Sequence, residues 1–190
     1  MIEIDSQGLS LEEYAKRAQE TAESRAYHMG YLIPGIMGEL GELSGQIAKG
    51  YWHQWSAEKL REELTAEYGD VLWMTALLSQ RYGVTDQDLD PKELVLLEET
   101  PDPALPKYVV LHLVDDFLDV AENCLDPMAD FEDEVAYREA RDSVARFWSR
   151  LCGCCLAVTG RSLGQVQEYN LNKLASRAAR GVLRGQGDHR

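Results

Sequence analysis

The sequence has no long hydrophobic run. Although 45% of its 190 residues are apolar, no stretch approaches the ~18 consecutive apolar residues of a membrane span. The opening, MIEIDSQGLSLEEY, is acidic and lacks the basic and apolar regions of a secretory signal. Cysteine is scarce, and three of the four cysteines crowd into Cys152-Gly-Cys154-Cys155. A small secreted scaffold spreads its cysteines to staple loops, so no disulfide framework is indicated. Zinc is disfavoured too, because neighbouring Cys154 and Cys155 face differently on a helix and no second CxxC or His pair completes four ligands. These absences predict a soluble, cytoplasmic protein whose cysteines are small buried helix residues.

Positive charge is also in short supply, with 19 Lys and Arg against 33 Asp and Glu, a net of −14. Residues 1–85 carry thirteen acidic and seven basic side chains, and residues 86–142 carry eighteen and four. Residues 146–190 reverse the balance, with two acidic and eight basic, a net of +6. Such a surface repels nucleic acid polymers, while the basic C-terminal segment can attract a small polyanion.

What is present is helical. No segment alternates like a strand with a hairpin turn. Ser10-Leu-Glu-Glu13 reads as a capping box opening a helix to about His28. Pro34 suits an early position in a second helix reaching Lys49. Ser56 can cap a third, carrying Leu60, Leu64, Val71, Leu72 and Leu78 and ending before Gly83. Residues 86–106 contain Pro101-Asp-Pro103 and read as an acidic loop or linker. Further helices are predicted over 107–125, from near Asp130 to Val158, and from the Ser162-Leu-Gly-Gln165 box to Arg180, with a glycine-rich loop after Gly181. One domain of about six helices results: a core of 10–85 and 146–190, and an acidic insertion or degenerate second half at 86–145. The second-half reading rests on an echo. Glu39-Leu-Gly-Glu42 precedes Trp73 much as Asp116-Phe-Leu-Asp119 precedes Trp148, with Ala145 at the place of Asp70.

Glu39 and Glu42 are three apart and share a helix face, as do Glu67 and Asp70 on the next helix. The short connection makes these helices antiparallel neighbours, so both pairs can converge inside a bundle. Four unpaired anions repel at close range. A hard cation relieves the conflict, and an all-oxygen set selects magnesium or manganese over zinc. A diiron bundle wants Glu-x-x-His pairs, and none of the four histidines lies three residues after a glutamate. The competing reading of the same acids is a solvated helix face. Gly38, Gly41 and Gly45 flank the first pair; each glycine costs ~1 kcal/mol in a helix interior, which predicts close approach of a helix or ligand.

The ExxE and ExxD pairs, separated by 24 intervening residues, resemble the metal motif of the MazG-like all-α nucleotide pyrophosphohydrolases. Glu13 to Ala22 is similar to that family's N-terminal helix, and Gly69-Asp70-Val71-Leu72-Trp73 to its GDVLW segment. Asn170-Leu-Asn-Lys173-Leu174-Ala-Ser-Arg177 resembles its N-x-x-K-L-x-x-R, and Gly185 to Arg190 the G-x-G-D-x-R tail of its shorter members. The likeness covers about 10–85 and 160–190; residues 86–145 depart from it, and the related dimeric dUTPases offer a precedent for a second helical half.

The resemblance implies that Glu39, Glu42, Glu67 and Asp70 hold Mg2+ (or Mn2+) against a triphosphate, with Asn170 and Lys173 facing the nucleotide. Arg177 shares their helix face, and Lys49 lies on the Glu42 face as a further phosphate candidate. Trp52, with Tyr51 and Trp55, can stack on a base or serve as a core or interface aromatic. The implied activity is hydrolysis of a nucleoside triphosphate, a deoxynucleotide foremost, to monophosphate and pyrophosphate by direct water attack, in a homodimer. The alternatives are a dUTPase-like or phosphoribosyl-ATP enzyme and a catalytically inactive helical interaction protein.

Overall fold

The computed structural model describes residues 7–90, 105–125 and 133–181. Pro101-Asp-Pro103 and the tail beyond Gly181 lie outside them. The described residues form α1 (Leu11–Gln19), α2 (Met29–Trp52), α3 (Ala57–Arg81), α4 (Leu105–Leu125), α5 (Glu134–Thr159) and α6 (Leu163–Ala179), with 3-10 turns at Ser24–Tyr27 and Asp86–Asp88 and no strand. The chain is all-α, as the patterning predicts. No described helix is long and apolar enough to cross a membrane.

The central element is α3, buried almost all round from Leu64 to Ser79. A helix with no solvent face must satisfy its polar side chains internally. Thr65, Thr75 and Ser79 do so by donating to the carbonyls of Arg61, Val71 and Thr75. Around α3 stand α2, α5, α1 and α6, and α4 packs on both α5 and α2 to close a four-helix ring. Tyr68 on α3 donates to the Leu151 carbonyl of α5 at 2.6 Å. Phe117 of α4 meets Phe147 of α5 at 5.3 Å. Val110, Leu113, Phe117 and Val120 are fully buried, so the acidic stretch contributes a core helix. Its Asp116 and Asp119 pair with Arg150 and Arg146 of α5 at 3.4 and 2.9 Å.

Two helices differ from the predicted spans. The first ends at Gln19 instead of His28, and there the Ala18 carbonyl accepts from the Thr21 N–H, the Thr21 hydroxyl and the Trp73 indole. Its first turn is served by Ser10 and, from 75 residues away, by the Asp86 carboxylate, which accepts from the Leu11 N–H at 2.7 Å. The second helix starts at Met29, before Pro34, which sits inside it. The extra turn carries Leu32 and Ile33 into the core, although the proline removes the intrahelical bond that an N–H at position 34 would make to the Gly30 carbonyl. The α2 helix also runs on to Trp52, past Lys49, and the predicted α5 start near Asp130 lies outside the described residues; the ends of α3, α5 and α6 follow local signals. Ser56 caps α3, Asp133 caps α5, Gly160 (φ +64°) ends it, and Ser162 with Gln165 makes both bonds of a capping box. Cys154 and Cys155 are buried on α5, and none of the four cysteines is in a disulfide.

Candidate metal centre

Glu39 comes from α2, and Glu67 and Asp70 come from successive turns of α3. One carboxylate oxygen from each lies within 4.8 Å of the other two. Glu67 is buried; Glu39 and Asp70 are half-buried; Glu42 is exposed, one turn from Glu39. Burial, then the charges of Asp70, Glu42 and Glu67, pushes the Glu39 carboxyl up to about 8, against a smaller pull from Lys173. Burial also raises Glu67, with Glu42 and Asp70 adding and the Gln46 hydrogen bond and Lys173 opposing.

Three side chains from other turns restrain this crowd. Gln46, fully enclosed on the Glu39 face of α2, donates to Glu67 Oε1 at 2.7 Å. Lys173 of α6 places its Nζ 2.7 Å from Asp70 Oδ2 and 3.2 Å from the Ala66 carbonyl. Asn170, one turn earlier, donates to Asp70 Oδ1 at 2.8 Å and accepts from the Tyr14 hydroxyl at 3.0 Å. Gly69 makes this approach possible, since a Cβ there would sit 2.8 Å from the Asn170 Cβ.

No family model, curated protein or solved structure matches this chain. The candidate site therefore stands on its own donors. Three convergent carboxylates, half withdrawn from water and mutually repelling, form a set that a metal ion can neutralise. The Lys173 ammonium already acts as a cation beside one of them. With its side chain 13% exposed and that of Asp70 17% exposed, their pair is screened far less than a surface bridge.

The predicted site residues separate into groups. Glu39, Glu67 and Asp70 converge, with Lys173 and Asn170 upon them. Asn170, which the resemblance turns towards a nucleotide, is fully buried, and its amide is engaged by Asp70 and Tyr14. Arg177 and Lys173 line a cleft of about 520 Å3 between α3 and α6, with Glu63, Glu67, Arg161 and Tyr169 on its walls. Lys49 is exposed and reaches Gln46 Oε1 at 3.4 Å. Tyr51 and Trp52 are not core aromatics: they stand 88% and 80% exposed at the end of α2. Trp55 is half-buried between His53, stacked at 6.3 Å, and the Lys59 ammonium at 4.3 Å. Among the described residues nothing approaches Gly38, Gly41 or Gly45 within 4 Å of an added Cβ, so no described helix is the close neighbour predicted there.

Gln46, Tyr14 and Gly69 enter the site although no sequence signal assigned them a role there. Gln46 was legible in principle, four residues after Glu42 and seven after Glu39 on one face. Tyr14 was not, because helical spacing carries no information about which helix packs beside α3 and α6.

Proposed function

We propose that the chain is a Mg2+-dependent nucleoside triphosphate pyrophosphohydrolase that releases a monophosphate and pyrophosphate. One observation carries the reading: the carboxylates of Glu39, Glu67 and Asp70 converge within 4.8 Å beside a cleft that shares Glu67 and Lys173 with Arg161 and Arg177. Anionic ligands for a cation thus adjoin cationic side chains for a polyanion, the two things that a metal–triphosphate complex needs together.

Glu39, Glu67 and Asp70 would hold the ion, with Glu42 beside them, and hard oxygen donors favour Mg2+ or Mn2+. Bound there, such an ion supplies charge neutralisation and a more acidic water. The chain's own part is positioning, which dominates phosphoryl chemistry. Lys173 and Arg177 attract phosphate oxygens. Glu39, at the edge of this set on α2, would orient the attacking water and take its proton. Water oxygen bonds to the α-phosphorus, the bridging P–O bond to the β-phosphate breaks, and pyrophosphate leaves. The exposed Tyr51 and Trp52 fit a homodimer contact or a base platform, and light scattering distinguishes a dimer from a monomer.

The deciding experiment is pyrophosphate release from a panel of ribo- and deoxynucleoside triphosphates, dUTP and phosphoribosyl-ATP included, with and without Mg2+. Absence of Mg2+-dependent release from every member overturns the proposal. Within an active chain, Lys173→Ala is expected to lower kcat/KM by roughly 10- to 150-fold, the value of one charge-assisted contact of ~1.5–3 kcal/mol. Steady-state kinetics equal to wild type would remove α6 from the active site.

A further inference from the structure

We infer that Tyr14 and Asn170 form a buried positioning relay, running from α1 through α6, that fixes Asp70 as a cation ligand. The inference rests on the metal-centre reading and adds to it two residues that touch neither cation nor substrate.

Chemistry sets the direction of the relay. An ionised carboxylate only accepts hydrogen bonds, so the Asn170 amide must turn its Nδ2 to Asp70. Its Oδ1 then requires a donor in a place with no access to water, since Asn170 and Tyr14 are both fully buried. The Tyr14 phenol supplies that donor at 3.0 Å, and the amide directs its own N–H to Asp70 at 2.8 Å. A flipped amide would set two acceptors face to face. Burial, aided by the charge of Asp70, holds the Tyr14 hydroxyl well above its ordinary range, so it remains a donor wherever the chain is folded.

The geometry matches a need at Asp70. Asn170 takes Oδ1 and Lys173 takes Oδ2, which holds the carboxylate plane from two positions one turn apart on α6. A carboxylate has about four acceptor sites, so two remain for a cation shared with Glu39 and Glu67. Fold stability alone does not call for such an arrangement. Phenylalanine and leucine would fill the same space with no polar atoms to satisfy, whereas a buried amide without partners is costly. Gly69 fits the same account, because any side chain there would press on Asn170.

The test is Mn2+ binding to the full-length chain, measured by titration calorimetry or by electron paramagnetic resonance of the free ion. Four proteins suffice: wild type, Tyr14→Phe, Asn170→Ala and the double variant. Tyr14→Phe keeps the ring that lies 5.9 Å from Trp148 and removes only the hydroxyl. It is expected to weaken Mn2+ binding roughly 10-fold, and Asn170→Ala by ~10- to 100-fold, the range for groups that orient metal ligands. Because the two act in series, the double variant should bind like Asn170→Ala alone.

A purely structural role predicts something else: earlier melting with wild-type Mn2+ affinity, which would overturn the relay, as would additive losses in the double variant. Should Tyr14→Phe lose its helices, Asn170→Ala decides, and wild-type affinity there rejects the relay. A wild-type chain that takes up no Mn2+ removes both the relay and the metal centre. The expected order of affinities in a chain that releases no pyrophosphate upholds the relay and removes only the hydrolase reading.

Discussion

Glu67→Gln is expected to reduce Mg2+-dependent pyrophosphate release by about 10^3-fold or more, while the metal-free chain becomes harder to unfold. The two effects have opposite signs for one reason. Glu67 is 3% exposed, and its ionised form is opposed by burial and by Glu42 and Asp70. Glutamine keeps the shape and still accepts from Gln46, yet takes one ionisable group out of the crowd. Folding gains what the repulsion cost. Catalysis loses a charged ligand, and electrostatic stabilisation by a bound ion contributes several kcal/mol at ~1.4 kcal/mol per tenfold. Kinetics with urea unfolding of the metal-free protein measures both. Turnover near wild type would dismiss the triad as a metal centre. Glu42→Gln is the calibrating variant: exposed beside the triad, it should lose less, and an equal loss would enlarge the centre to the four carboxylates that the sequence spacing predicts.

The second large effect is a pH dependence with its sign set by Glu39. Its carboxyl ionises near 4.5 when unfolded and near 8 when folded and metal-free. Below pH 4.5 both states are protonated and nothing is lost. Between 4.5 and 8 unfolding releases a proton that the folded chain retains, so stability falls as pH rises, and the full cost is present above 8. With each pH unit across that interval costing ~1.4 kcal/mol, the total is a few kcal/mol. Cation binding has the opposite trend, because the proton must leave first: affinity should rise roughly tenfold per pH unit towards 8 and then level off. Urea midpoints and Mg2+ titrations from pH 5 to 9 follow both curves. In Glu39→Gln the stability curve should lose the part due to this group. A wild-type chain that is more stable at pH 8 than at pH 5 without metal would contradict the burial of Glu39 among anions.

Helix-end chemistry is where the sequence was most readable. Ser56, Ser162 with Gln165, and Gly160 act within a few residues of themselves, so their local pattern is the cause of the structure. Where a partner came from far along the chain, local reading failed. The first helix stops at Gln19, where Trp73 donates to the Ala18 carbonyl, and it begins under Asp86. Neither contact is implied by the residues from Ser10 to His28. In the acidic stretch the predicted helix over 107–125 is present, and charge describes only its outer face, whereas Val110, Leu113, Phe117 and Val120 on its inner face make it a core helix.

By itself the sequence determined an all-α chain, the N-caps of α3 and α6, and a pair of acidic faces on α2 and α3, because spacings of three and four residues translate directly into shared faces. The tertiary structure alone decided which acids converge, leaving Glu42 exposed and bringing Glu39, Glu67 and Asp70 together. It also decided that Asn170 faces Asp70 and that Tyr14 stands behind it. Helical periodicity specifies direction around one axis, whereas convergence depends on how several axes cross, and that is set by packing over the whole core, down to the missing side chain at Gly69.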